Sequence, residues 1–252
     1  MLVATYFFWF ILYSFLGWLY ESTLCSMVKY HHFINRGFLL GPYCPIYGAG
    51  AVINIILLQH VDNIVFIFLI TMVTSGVVEY VTSYVMERLF AARWWDYSRF
   101  PLNLQGRICL YGCLVFGIGN LLLLKLVHPL VVMGTAFLPA YVLHIFMVAV
   151  LIAAGLDVVY TTMHMTDFNE KLKAIQENIS ESIGAHPLKN FASVGKNVLA
   201  DFSVSDYINL AMVKEKFKKQ ELRILRAFPS FHSLKYENLV EKIKETIKEI
   251  RK

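Results

Sequence analysis

Three polar residues at helical spacing could do chemistry inside an otherwise apolar stretch of the chain. Glu79, Ser83 and Glu87 follow one another at intervals of four residues, so a helix places them near one face. Glu79 then lies about 12 Å deeper along the helix than Glu87. A carboxylate at that depth in a membrane faces the protein interior or a water-filled cavity, pairs with a cation, or is protonated.

We expect other polar side chains to lie near these acids. The candidate substrate-binding residues are Glu21, Arg36, Tyr47, Glu79, Ser83, Glu87, Asp96, Asn103 and Arg107. One interpretation is a polar vestibule, with acids and arginines lining a site. The other is a network of ion pairs that locks helices together. Spacing alone leaves both open, and Asp157 fits either.

A broken segment, residues 35–48, lies between two apolar runs. It contains three glycines and two prolines, and Pro42 and Pro45 each remove a backbone donor and disfavour helix just before them. Irregular backbone at the membrane boundary is costly unless protein or water surrounds it. We expect either the entry to a site or a rigid turn between helices.

The sequence lacks several motifs that are typical of catalysis, nucleotide binding or metal binding. There is no G-x-S-x-G elbow, no H-E-x-x-H and no P-loop. The four cysteines lack zinc spacing, and Cys109 and Cys113 are four apart in an apolar run. We therefore predict no catalytic residues, no metal and no cofactor, and any ATPase must be a separate polypeptide.

Charge divides the chain into two regions. Hydrophobic residues make up 57% of the sequence, and mean hydropathy is +0.55. Residues 1–165 hold only seven of the 23 basic and six of the 18 acidic residues. We predict a transmembrane domain over 1–165 and a helical cytoplasmic tail over 166–252. Nucleic acid is a poor partner, because the tail alternates bases with acids.

The apolar runs predict an all-α, polytopic fold with about five transmembrane helices. They cover roughly 2–28, 43–58, 63–90, 108–127 and 130–163. The second is short for a span, so a broken or re-entrant helix is an alternative. Pro129 separates the last two.

Loop charges predict the orientation. Lys29 and Arg36 follow the first span, and Arg93, Arg99 and Arg107 follow the third. With five spans the positive-inside rule places the N-terminus outside and the tail in the cytoplasm.

The tail alternates predicted helices with breaks. An amphipathic helix fits 167–182, before Gly184 and Pro187, and a second fits 206–227, before Pro229. In 235–252 one face carries Leu239, Ile243, Ile247 and Ile250. Such a face more often packs against helices than binds a membrane.

Several motifs resemble those of the bacterial family described as putative ABC-transporter type IV permeases. They are Gly17-Trp18-x-x-Glu21, the run Asn35–Gly48, Glu79-Tyr80-x-x-Ser83-x-x-x-Glu87, Trp94–Ser98 and Asn103-x-x-Gly106-Arg107. The resemblance covers most of residues 10–165. It implies an integral-membrane permease subunit that is not itself an enzyme and dimerises and recruits a separate ATPase.

Two other classes stay open. A membrane enzyme acting on a lipid or isoprenoid-phosphate headgroup would use the buried acids, with arginines on the phosphate. A structural or regulatory membrane protein would use its tail to recruit partners.

The orientation is testable by cysteine labelling in a background without native cysteines. We expect a membrane-impermeant thiol reagent to label Val3→Cys on intact cells, and Ser98→Cys only after permeabilisation. Labelling of position 98 on intact cells would reverse the orientation.

Overall fold

The computed structural model describes residues 2–31, 33–185 and 210–249. The protein is all-α and polytopic, with four apolar helices long enough to cross a membrane and a shorter fifth among the described residues. The helices are α1 (Leu2–Leu19), α2 (Ser26–Tyr30), α3 (Pro45–Leu58), α4 (Ile64–Phe90), α5 (Leu110–Leu122), α6 (His128–Ala136), α7 (Ala140–Ala185), α8 (Leu210–Lys216), α9 (Lys219–Ala227) and α10 (Glu237–Glu249). Antiparallel strand pairs join β1 (Ala92–Arg93) to β4 (His232–Ser233), and β2 (Asn103–Leu104) to β3 (Ile108–Cys109).

Packing divides the chain into two compact units. The first, here the membrane unit, comprises Met1–Val85 and Trp95–Tyr160. The second, here the tail unit, comprises Met86–Trp94 and Thr161–Lys252. The tail unit thus includes the last residues of α4 and the short segment that follows them.

In the membrane unit, the second apolar segment consists of two pieces. Residues 33–44 are not helical, and α3 begins only at Pro45. Cys44 has an extended backbone, with φ −119° and ψ 96°. Proline restricts the residue before it to this region and fits the first turn of a helix, where no N–H is needed. The two prolines therefore determine where α3 can begin.

Both pieces run antiparallel to the first helix. Ser26 Oγ donates to the carbonyl of Ile34, at 3.4 Å, and Cys44 N–H donates to the carbonyl of Ser14, at 2.9 Å. From the first contact to the second, the residue number rises along the second segment and falls along the first helix. Because Ser14 lies near the middle of the run from Leu2 to Tyr30, α3 begins beside the middle of that run.

Helix α4 places its polar side chains inside and its apolar side chains outside. The buried polar residues, four apart, are Thr71, Ser75, Glu79 and Ser83. Residues with more than half of their surface exposed include Val73, Val77 and Val81. This arrangement suits a helix that faces lipid on one side and a polar protein interior on the other.

The predicted end of the fourth span at Pro129 is wrong. One apolar run of helix extends over Leu110–Ala136. A π-helical turn, Leu123–Val127, comes just before the proline. Its extra residue per turn relieves the clash between the proline ring and the preceding turn, so the helix continues. The chain leaves the helix only before Pro139.

The separate helix predicted over 167–182 is also wrong. Helix α7 runs unbroken from Ala140 to Ala185, and residues 156–183 contain neither glycine nor proline to end it. Its later turns bury one apolar face, at Phe168, Leu172, Ile175 and Ile179.

In the tail unit, Trp94 packs among three phenylalanines. The ring centroids of Phe90, Phe228 and Phe231 lie 5.8, 5.2 and 5.1 Å from that of Trp94. The backbone pairing of β1 with β4 brings these rings together.

The single helix predicted over 206–227 is two helices within the described residues, α8 and α9. The chain is extended at Lys218, whose N–H donates to Glu221 Oε2 at 2.8 Å and so caps α9. Leu239, Ile243 and Ile247 are buried on α10, which confirms a packing face. Residues 206–209 of the predicted helix, and Ile250, lie outside the described residues.

The close approach of α3 to α1 can be tested at two glycines of α3. A Cβ at Gly48 would lie 2.2 Å from both the Phe10 carbonyl oxygen and Ser14 Oγ, whereas one at Gly50 would have no atom within 4 Å. We expect Gly48→Ala to cost about 1–3 kcal/mol and to lower Tm in detergent. The control, Gly50→Ala, should leave Tm unchanged or raise it. Equal Tm values for both variants would contradict this packing.

Candidate functional site

Glu21, Arg36 and Tyr47 form one bonded cluster. Glu21 lies on the π-helical turn Tyr20–Cys25 that continues α1. Its Oε1 accepts the Tyr47 hydroxyl at 2.6 Å, and its Oε2 lies 3.3 Å from Arg36 Nε. Because Tyr47 is in the first turn of α3, the carboxylate lies close to the positive end of that helix dipole. A cation, a phenol and a helix N-terminus therefore stabilise the negative charge of Glu21.

Gly17 makes room for this cluster. A Cβ at Gly17 would lie 2.3 Å from Cγ of Tyr47, which is closer than atoms can approach. Any side chain at position 17 would displace the Tyr47 ring and with it the hydrogen bond to Glu21.

Asp157 of α7 binds the extended segment. Its Oδ1 accepts the N–H of Leu40 at 2.9 Å, and its Oδ2 accepts the N–H of Gly41 and the hydroxyl of Tyr43, each at 2.8 Å. The Tyr43 hydroxyl is thus a third donor to this carboxylate. A single carboxylate satisfies two backbone donors that no helix pairs.

Glu79 is held by a tyrosine. The hydroxyl of Tyr97 donates to Glu79 Oε1 at 2.9 Å, and the Tyr97 N–H donates to the Gly106 carbonyl at 2.8 Å. Burial, then the negative charge of Glu79, raises the pKa of Tyr97. Glu79 is 5% exposed. Ser83, one turn away on α4, is equally buried.

The segment 95–109 carries three further predicted site residues. Asp96 accepts the N–H and the hydroxyl of Ser98, each at 2.9 Å. Asn103 donates to the Phe100 carbonyl at 2.8 Å and accepts the Gly106 N–H at 3.0 Å. Both residues shape the loop that presents Tyr97.

Arg107 is 7% exposed and lies against tyrosine rings of α4. Its guanidinium carbon is 5.5 Å from the Tyr80 centroid and 5.7 Å from the Tyr84 centroid, within cation–π range. It also donates to Gln105 Oε1, which accepts the Tyr80 hydroxyl at 2.8 Å. These contacts hold the segment against α4.

Glu87 belongs to the tail unit, where it accepts from Arg93 Nε at 3.0 Å. It is therefore placed with β1, through Arg93. The sequence spacing predicts that Glu87 lies on the same face of the helix as Glu79. In the structure, Glu87 instead bonds to Arg93, in the turn that follows α4.

A polar layer between α3, α4 and α5 had not been predicted. Asn54 donates to Asn120 Oδ1 at 3.2 Å and accepts the Thr74 hydroxyl at 2.5 Å. Asn120 in turn donates to Ser75 Oγ at 3.1 Å. The two asparagines within apolar runs are the signal that could have indicated it. Ser75 precedes Glu79 by one helical turn, so the polar face of α4 is continuous from one to the other.

His164, Asp167 and Glu221 of the tail unit place possible metal-ligand atoms within 4.8 Å of one another. Both carboxylates already bind ammonium groups. Lys171 Nζ lies 2.8 and 2.9 Å from the two oxygens of Glu221, and Lys218 Nζ lies 3.1 Å from Asp167. A cation would have to displace two lysines, so the group fits an ion-pair network better than a metal site.

The helices and the polar interior define a transporter-like integral membrane protein. The family model described as "Putative ABC-transporter type IV" matches residues 8–162, and the chain belongs to this family. The resemblance seen in the sequence motifs is thereby confirmed. No curated protein and no solved structure shows a significant match to the chain.

The role of Asp157 can be tested by Asp157→Asn. An amide has one acceptor oxygen instead of two, so at least one donor of the extended segment loses its partner. We expect a loss of about 1–3 kcal/mol, measured as a lower Tm in detergent. Val159→Ala, exposed on the same helix, should change Tm little. If Asp157→Asn matches that control, Asp157 does not stabilise the segment.

Proposed function

We propose that the chain is the membrane-spanning permease subunit of a bacterial transporter, with its solute path through the polar interior of the membrane unit. The observation that carries this proposal is the discontinuous second segment. Its non-helical residues 33–44 lie along the first helix, and α3 begins near the middle of that helix.

Irregular backbone at membrane depth is tolerated only where protein buries it or where it lines a water-filled cavity. Transporters use such broken segments to present helix termini and free backbone groups to solutes near the membrane midplane. Here the segment places Tyr47 and Arg36 against Glu21. A simple turn between two helices would not need partners from both α1 and α7.

The polar face of α4 supports the same proposal. Its buried polar residues lie opposite valines that are exposed on the lipid side; they are Thr71, Ser75, Glu79 and Ser83. Polar and ionisable groups within a membrane are costly, and they commonly line substrate or ion paths. We propose Glu79 and Ser83 as residues of this path, with Glu21, Arg36 and Tyr47 beside it.

The placement of the arginines favours a permease over an enzyme that acts on lipid phosphate. Arg36 pairs with Glu21, and Arg107 lies against tyrosine rings and donates to Gln105. A phosphate would have to compete with these partners. Because the sequence has no P-loop, we propose that ATP-driven transport uses a separate ATPase and a second copy of this chain to complete the path.

Water access to the polar face of α4 tests the permease proposal. Two variants, Ser83→Cys and Val81→Cys, are made in a background that lacks the four native cysteines. We expect a hydrophilic methanethiosulfonate reagent to modify Ser83→Cys, because a water-filled path carries the reagent to a buried position. Val81→Cys, on the lipid side of the same helix, should react at least tenfold more slowly. The measurement is the modification rate in membrane vesicles.

Equal, slow rates at positions 83 and 81 would mean a dry interior and would overturn the permease proposal. Flux of a panel of labelled solutes into proteoliposomes is the second measurement. A chemical change of a lipid headgroup without flux would favour the enzyme.

A further inference from the structure

Glu79 differs from Glu21 and Asp157, two other acids of the membrane unit, because one of its oxygens has no partner among the described residues. Glu21 has Arg36, and Asp157 accepts three hydrogen bonds. None of the ion pairs between described residues includes Glu79. Its Oε2 is buried and has no hydrogen-bond partner among the described residues.

Among the described residues, one hydrogen-bond donor and no cation contact Glu79. Tyr97 donates to Oε1, and on α5 a Cβ at Gly112 would lie 4.0 Å from Oε2. Glu21 acts on Glu79 electrostatically, and it is an acid. A buried, ionised carboxylate with an open oxygen is strongly unfavourable. The site as described is short of one positive charge at Oε2.

We infer that Glu79 is a proton-binding site, with an exchangeable proton on Oε2 whose uptake and release accompany ATP-driven solute movement. This coupling rests on the proposed permease function. On loading, hydronium in the hydrated path transfers H⁺ to Oε2, an O–H bond forms there and water is left behind. On release, the proton returns to water and the carboxylate is regenerated. Tyr97 donates to Oε1 in both states.

A proton fits this position better than a metal ion. Metal cations such as Ca²⁺ and Mg²⁺ take six or more oxygen ligands, whereas the described groups at Oε2 offer one carboxylate. A proton needs no additional ligand and removes the buried charge outright.

Hydroxyl groups on α4 continue the polar face on both sides of Glu79. Ser83 lies one turn along the helix, and Ser75, one turn in the other direction, accepts from Asn120. Hydroxyls both donate and accept, so they can relay a proton to and from a carboxyl group. Val77 and Val81 on the lipid side offer no such group.

Infrared difference spectroscopy on the purified full-length chain tests the inference directly. We expect a C=O stretching band of a protonated carboxylic acid that shifts in D₂O and is lost as pH rises. The band should be absent from Glu79→Gln and present in the matched control Glu21→Gln. Tyr97→Phe should shift its frequency, because the carbonyl oxygen loses its donor. That variant identifies the band independently if Glu79→Gln does not fold.

A spectrum with no band assignable to Glu79, at any pH at which the protein is folded, would overturn the inference. So would flux that responds equally to a proton gradient in wild type and in Glu79→Gln. The permease proposal is judged separately, by thiol modification at position 83 and by solute flux. Flux without the band removes only the proton site. The band without flux or modification removes the permease and the coupling to solute movement, and leaves Glu79 as a proton-binding site alone.

Discussion

The membrane unit depends on one constraint, which is that backbone donors removed from water need partners. Residues 33–44 are not helical and do not pair with one another as a strand. Several of their donors are satisfied from outside the segment, by the Ser22 hydroxyl for Arg36, by the Ser14 carbonyl for Cys44 and by the Asp157 carboxylate for Leu40 and Gly41. Irregular backbone therefore needs acceptors supplied by the neighbouring helices.

The same constraint explains why the acids have different environments. The carboxylate oxygens of Asp157 accept hydrogen bonds from backbone N–H groups, and those of Glu21 contact a cation and a phenol. Glu79 has a single phenol donor. Glu21 and Asp157 therefore bond to neighbouring segments through both carboxylate oxygens, while Glu79 keeps one oxygen without a partner among the described residues.

Local pattern was enough to predict the apolar helices near 2–28, 43–58 and 63–90, the break at Pro42 and Pro45, and the family. It failed at Pro129, because a π-helical turn that accommodates a proline leaves no trace in hydropathy. It also gave no partner for Asp157 or Asn54. The partners of Asp157 lie 114–117 residues away in the chain, and those of Asn54 lie 20 and 66 residues away. Single-sequence periodicity carries no information at that range.

The π-helical turn at Leu123–Val127 also fixes the angular register of everything after it in that span. It places one more residue in a turn than an α-helix does, so each following side chain is rotated by about 100° relative to an unbroken α-helix. In the observed register His128 shares a hydrogen bond with Tyr13, at 2.7 Å, and Thr135 accepts from Trp9, at 3.0 Å. Deleting a single residue from this turn would leave a smoother, more regular helix and would turn both side chains away from α1. The span therefore tolerates substitution in this turn far better than a change in its length.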